Sequence, residues 1–416
     1  MKKTTISLVT ASILIGSMAP AQATEEATSF TEMFTKGTPS GQIRLGYIWL
    51  DPEEDGAKST YDLALGGQLK FETAALHGLS LGAAFYTSHS IIQPDDENFN
   101  DELSSPAQHY DLLAEAYING GWEDFNIRVG RQLIDTPFAD SDDIRMTPHT
   151  FEAAVADYAY NDFSVTGGYL STWQGVDAGY HNDADFDDMV AGSDGTWMLG
   201  GSYGSDLFEA GLWFYSVTDV VDVFYADIVA PITLGEDITL TLGLQAVVQS
   251  DNTNLQTSGE IGSRVEGNLY GAMAELSVIG ITAGIAYDHA SVDEGEALFG
   301  GWGGGPFFTN IDTLVANEFA AGQDADSYTL SLGYDFSDIG VEGLSLGYTF
   351  GHYEGGTDPM DNTADAEVDE HNLYVEYEIT EAWSVDAVYV VSDDKENDAA
   401  TEWDYNRAQV RVNFTF

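Results

Sequence analysis

Asn406-Arg407-Ala408-Gln409-Val410-Arg411-Val412-Asn413-Phe414-Thr415-Phe416 alternates without a break. Successive side chains of a strand point to opposite sides, so Ala408, Val410, Val412, Phe414 and Phe416 share one face. Arg407, Gln409, Arg411, Asn413 and Thr415 share the other. The same period runs through Gln42 to Trp49, where Ile43, Leu45, Tyr47 and Trp49 oppose Gln42, Arg44 and Gly46. In a soluble sandwich such an apolar face meets a second sheet; in a membrane barrel it meets lipid while the polar face lines the lumen. Period alone does not choose between them.

Connection lengths do. The pattern yields about eighteen strands, with about sixteen as the alternative count. Short connectors (Gly120 to Glu123, Asn161, Ser205, Ile279, Thr380-Glu381) alternate with long ones (Ile91 to Pro106, Val176 to Asp194, Asp251 to Ser263, Ser291 to Ala325, Glu354 to Glu367). The join at Thr218 and Asp219 is the exception, since a long loop is due there. Strict alternation of short turns and long loops is the signature of an outer-membrane barrel, and an even strand number returns both termini to one side. The long connectors are rich in Asp and Glu, and the four at 91–106, 176–194, 291–326 and 354–370 carry no Lys or Arg. Their charge therefore lies outside the apolar band. The expected fold class is all-β, a transmembrane antiparallel barrel with short periplasmic turns and long acidic extracellular loops.

Composition fits this reading. Seventy Asp and Glu stand against thirteen Lys and Arg, a formal charge of -57, which disfavours a nucleic-acid partner. The absence of cysteine removes disulfides, thiolate metal sites and cysteine nucleophiles. Met1-Lys2-Lys3, the apolar run Ile6 to Ala19 and the small-x-small site Ala21-Gln22-Ala23 form a secretory signal peptide over residues 1–23. Its run is shorter than the roughly 20 apolar residues of a spanning helix. Its removal would leave 11 basic against 70 acidic side chains. Residues 24–39 are expected to be a short periplasmic segment and 40–416 the barrel, with Phe416 closing the aromatic strand that the outer-membrane insertion machinery reads.

Val129-Gly130-Arg131-Gln132, Asp135 through Pro148 and Phe151-Glu152 resemble the OprD-like porins and the major outer-membrane proteins of epsilon-proteobacterial type. The likeness is specific over these residues and architectural elsewhere. It implies a diffusion channel of the bacterial outer membrane, in contact with lipid and lipopolysaccharide and assembled as a homotrimer. It also implies a third surface loop, here Asp135 through Pro148, folded inward as the constriction. Substrate-selective members carry a ladder of arginines down one wall.

The few cations are placed suggestively. Arg44, Lys70, Arg128, Arg264, Arg407 and Arg411 fall on the polar faces of their strands, and closure makes the first, second and last strands neighbours. One basic wall is expected, facing Asp135, Asp140, Asp142 and Asp143 of the inward loop, with Arg145 beside them, across a gap whose field sorts permeants. The competing reading is local pairing with lumen acids such as Asp62, Glu72 or Glu266. Arg131 shares parity with the outward Ile127 and Val129.

Other motifs carry less. Gly78-Leu79-Ser80-Leu81-Gly82 and Gly343-Leu344-Ser345-Leu346-Gly347 match the nucleophile-elbow pattern, but each opens a long alternating strand instead of a strand-to-helix turn, so no enzyme is expected. Asp183, Asp185, Asp187 and Asp194 partly mimic a calcium loop, with Asp188 where its turn glycine belongs; a solvated acidic loop is preferred over weak calcium or magnesium binding. No other metal or cofactor is expected. Gly300 to Gly305 with Trp302, Phe307 and Phe308 lacks a phosphate-binding lysine and reads as a plugging loop or subunit contact. The expected function is passive diffusion of small hydrophilic solutes with a preference for cations. The alternatives are a substrate-specific channel for small organic acids or amino acids, and a surface adhesin or structural barrel.

Overall fold

The computed structural model describes residues 26–53, 56–105, 108–178, 185–252, 254, 264–357, 365–396 and 403–416. The expected signal peptide and Asp183 lie outside the described residues. Eighteen strands of at least eight residues form one sheet. They are β1 (Thr38–Pro52), β2 (Thr60–Glu72), β3 (Leu79–Ser90), β4 (His109–Trp122), β5 (Phe125–Gln132), β6 (Thr150–Tyr160), β7 (Phe163–Gln174), β8 (Thr196–Gly204) and β9 (Glu209–Val217). There follow β10 (Val221–Gly235), β11 (Ile238–Asp251), β12 (Gly267–Val278), β13 (Ile281–Ser291), β14 (Ala325–Asp335), β15 (Leu344–Gly356), β16 (Asp365–Thr380), β17 (Trp383–Asp394) and β18 (Tyr405–Thr415). Each is antiparallel to the next, and β1 pairs with β18 from Gln42↔Thr415 to Pro52↔Tyr405, so the sheet has no free edge.

Burial inverts the pattern of a soluble protein. Ile43, Leu45, Leu65, Leu69, Phe85 and Val129 are exposed, while Arg44, Asn413, Gln409 and Arg407 are buried on the inner face. The apolar row of every strand is thus the outer wall, as lipid requires, and the polar row is turned inward. Trp122, Phe125, Tyr158, Tyr160, Phe163 and Trp383 crowd the end where the connections are short, an aromatic girdle at that interface. Ser80 and Ser345 lie inside β3 and β15 at the short-turn end, with no elbow around either. The join between β9 and β10 is a tight turn on the long-loop end.

Outside the barrel wall, the helix α1 (Phe30–Thr35) precedes β1. Ser29 caps it, its hydroxyl accepting the Glu32 N–H at 3.3 Å, and the Glu32 carboxylate accepts the Thr28 N–H at 2.9 Å.

Candidate functional site

At least three long loops turn into the barrel. In the loop between β5 and β6, Asp135–Thr136 pairs with Ala139–Asp140, so that Phe138 sits at the tip of a tight hairpin. Its ring is completely buried, against Tyr215, Tyr225, Phe299 and Phe307 at centroid distances of 5.5, 5.9, 6.3 and 6.0 Å. The loop between β13 and β14 supplies Phe299 and Phe307 and bonds to this hairpin directly. The Trp302 N–H donates to the Phe138 carbonyl at 3.0 Å and the Asp140 N–H to the Trp302 carbonyl at 2.9 Å. Gly303 lies at φ +92°, and a Cβ there would stand 2.4 Å from the Asp140 carbonyl oxygen, so only glycine permits this approach. The third loop, between β3 and β4, buries Leu103 against Ile48, Ala64 and Met146.

Buried carboxylates of the wall fasten these loops. Asp62 accepts hydrogen bonds from Ser90 and Ser104. Asp288 accepts from Gln245 at 2.7 Å and from the Thr309 N–H and hydroxyl at 2.9 and 2.8 Å. A buried carboxylate satisfied by several donors holds a loop in one position, because each lost bond would strand a desolvated oxygen.

The basic residues divide into three groups, not one wall. On β1 and β18, Arg44 grips Asp143 with both terminal nitrogens at 2.6 and 2.8 Å and donates to the Arg145 carbonyl at 2.7 Å. Arg411 bonds Asp386 at 2.5 Å and the Asp143 carbonyl, and Gln409 donates to the Ile144 carbonyl at 2.8 Å. Arg407 spans Asp312 at 2.6 Å and Glu102 at 3.1 Å, while Arg145 reaches Glu102 at 2.5 Å. The expected gap between this wall and Asp143 is therefore closed, since loop and wall are in contact. The physical reason is that two nearly buried guanidiniums, Arg44 and Arg407, need carboxylates within bonding reach.

Lys70 and Arg128 form a second group around Tyr117, with Lys70 2.7 Å from Glu115 and Arg128 4.4 Å above the ring. Arg264 stands apart. The strand expected to follow the connector that ends at Ser263 begins only at Gly267, whose φ of +147° breaks the extended run. Arg264–Val265 instead pairs with Glu296–Ala297, and Arg264 meets Asp251, Glu266 and Glu296 on the far side of the barrel. Arg131 faces outward, paired with Glu152 at 3.0 Å beneath Phe186.

The described aspartates of the proposed cation loop do not converge. Asp185 accepts its neighbour's N–H, Asp187 pairs in a short ladder with Trp173, and the Asp194 carbonyl accepts the Tyr169 hydroxyl. Among the described residues no group of three His, Asp or Glu is placed to hold a metal ion.

A cavity of about 2470 Å³ runs from the short-turn end to the loop layer. Glu209, Asp227, Glu275, Glu342, Glu376 and Glu378 line its wall, and Glu102, Asp140, Asp142, Asp177, Asp312 and Glu318 its narrow end. Among the described residues Arg145 and Arg407 are the only cations lining it. Burial pushes the Glu102 carboxyl up, but Arg145 and Arg407 outweigh it and hold Glu102 at about 2. Asp140 moves the other way, to about 7, through burial and then the neighbouring Asp142 and Asp135. Glu318 also reaches about 7, through burial and the nearby Asp177 and Glu370. Of the carboxylates at the narrow end, Glu102, Asp177, Asp312 and Glu318 were not singled out by sequence reasoning. Only their place in long acidic loops hinted at a role.

The chain matches the model of the family described as outer membrane porin, OprD family, over residues 122–416. Similar solved structures include Pseudomonas aeruginosa OpdK, crystallised with vanillate, at 18% identity and a TM-score of 0.78, over 92% of this chain and 99% of that one. A BenF-like porin from Pseudomonas fluorescens Pf-5 gives 13% and 0.79 over 92% and 99%, and Acinetobacter baumannii OccAB1 gives 16% and 0.75 over 95% and 99%. No curated protein matches the chain. A closed eighteen-stranded barrel with an apolar outer wall, narrowed by inward loops and matched over residues 122–416, places the chain in the OprD family of outer membrane porins, non-enzymatic channels of the bacterial outer membrane.

Proposed function

We propose that the channel passes small hydrophilic solutes and ions passively and prefers cations. The observation that carries this is the lining: carboxylates from many strands face the cavity, and the two guanidiniums that reach it are each already bonded to a carboxylate. A low-dielectric wall studded with one sign of charge raises the local concentration of counter-ions. OpdK was crystallised with vanillate, an organic anion. A comparable anion entering here would have to displace Glu102 or Asp312 from Arg407, which disfavours the organic-acid reading.

The test is the reversal potential of refolded protein in a planar bilayer under a salt gradient. The expected result is a cation sign, with a cation-to-anion permeability ratio on the order of threefold or more. An anion sign would overturn the preference, and no conductance steps from folded barrel would favour the adhesin or structural reading.

The preference should strengthen with pH. Asp140 and Glu318 are both raised to about 7, so they are largely neutral at pH 6 and largely ionised at pH 8. Raising the pH across this window adds up to two negative charges to the narrow end. The reversal potential should move toward the cation limit between these pH values, and Asp140→Asn should remove part of the shift.

A further inference from the structure

Helix α1 lies at the short-turn, periplasmic end of the barrel and is amphipathic in a way the channel does not use. Met33 is buried against Ala27 and Ala74, with Leu76 beside them, and the segment is tied to the β2–β3 turn by Ala27 N–H to Ala75 carbonyl at 2.7 Å and Ala74 N–H to Met33 carbonyl at 2.9 Å. Phe30 and Phe34, one turn apart, pack edge-to-face at 5.2 Å, yet Phe30 is 66% and Phe34 45% exposed. At about 100° per residue Phe30, Met33 and Phe34 fall within one arc of the helix, and Thr31, Glu32 and Thr35 occupy the rest.

The chain leaving the helix abuts the lipid-facing wall. The chain leaves α1 through Gly37, which lies so close over Phe71 that a Cβ would stand 2.4 Å from the ring. Phe71 belongs to the exposed outward row of β2 with Leu69 and Leu65. No residue of 26–37 lines the lumen cavity. We propose that α1 is an interfacial foot whose Phe30 and Phe34 rings enter the periplasmic phospholipid leaflet beside the girdle, holding the start of β1 at the membrane surface. Phenyl rings on one face and polar side chains on the other are the pattern of helices that lie in the interface plane.

The absence of native cysteine makes a site-specific test direct. Phe34→Cys, Phe30→Cys and Thr31→Cys proteins would each carry one environment-sensitive fluorophore and be refolded in phosphatidylethanolamine–phosphatidylglycerol vesicles. Folding would be verified by heat-modifiable migration. Spin-labelled lipids should quench positions 30 and 34 at least about threefold more than position 31, and aqueous iodide should show the reverse order. Equal iodide quenching at all three positions would overturn the proposal, and so would shielding of 30 and 34 from both quenchers, which would mean that the rings pack on protein. Two reporter positions on the aromatic face keep the outcome from depending on one substitution.

Discussion

Phe138→Ala should widen the channel without unfolding the barrel. The Phe138 ring is fully buried among four aromatic rings drawn from the wall and from the opposing loop, and it forms none of the barrel's strand ladders. Removing a buried phenyl ring costs about 3–5 kcal/mol, here charged to the docking of two loops and not to the barrel. That is a shift of on the order of a hundredfold or more in the ratio of docked to undocked loop. Single-channel recordings should show larger conductance steps and more open-channel noise, while migration of the unheated protein stays that of a folded barrel. Unchanged conductance would mean that the hairpin is held by its backbone bonds to Trp302 and by the ion pairs at Asp143 and Arg145.

The second large effect is expected at Arg407. This guanidinium is 2% exposed and joins Glu102 of one inward loop to Asp312 of another. Arg407→Ala would leave Asp312 without its cation in a partly buried site, and breaking a buried pair from one side costs about 3–5 kcal/mol. Two consequences should appear together: an unsteady conductance, because the loops lose their shared tie, and a reversal potential moved further toward cations, because one positive charge has left the narrow end. Adding Asp312→Asn should recover part of the steadiness, since no unpaired carboxylate then remains although the tie is still lost, and the coupling can be read as a double-mutant cycle. Arg407→Lys should be intermediate, since one ammonium cannot span two carboxylates as a planar guanidinium does. A shift toward anions in Arg407→Ala would contradict the assignment of the lining.

The barrel was legible because a strand records its environment every second residue. Gln42 to Trp49 and Asn406 to Phe416 display their lipid and lumen faces openly, and the lengths between such segments separate the two ends. The inward hairpin at 135–148 was expected only through a family resemblance. The aromatic residues at 299–308 were a usable signal, since a solvated loop has no need of Trp302, Phe307 and Phe308. The charge network was beyond reach. Arg407 and Glu102 are 305 positions apart, and no local period places one beside the other. Arg264 shows the opposite failure: alternation reads on from the strand through Gly267 to Arg264, whereas the strand starts at Gly267.

The pairing of β1 with β18 also sets an order of assembly. The side chains that clasp residues 143–145 come from both ends of the chain, Arg44 from the first strand and Gln409 and Arg411 from the last. Arg407, on that same last strand, ties the other two loops. The clasp that brings Arg44 together with Gln409 and Arg411 is complete only when the seam between β1 and β18 closes. The narrow passage is therefore completed by the arrival of the C-terminal strand, and a chain that stalls before zipping carries its loops unlatched. Channel calibre thus reports on whether biogenesis has finished.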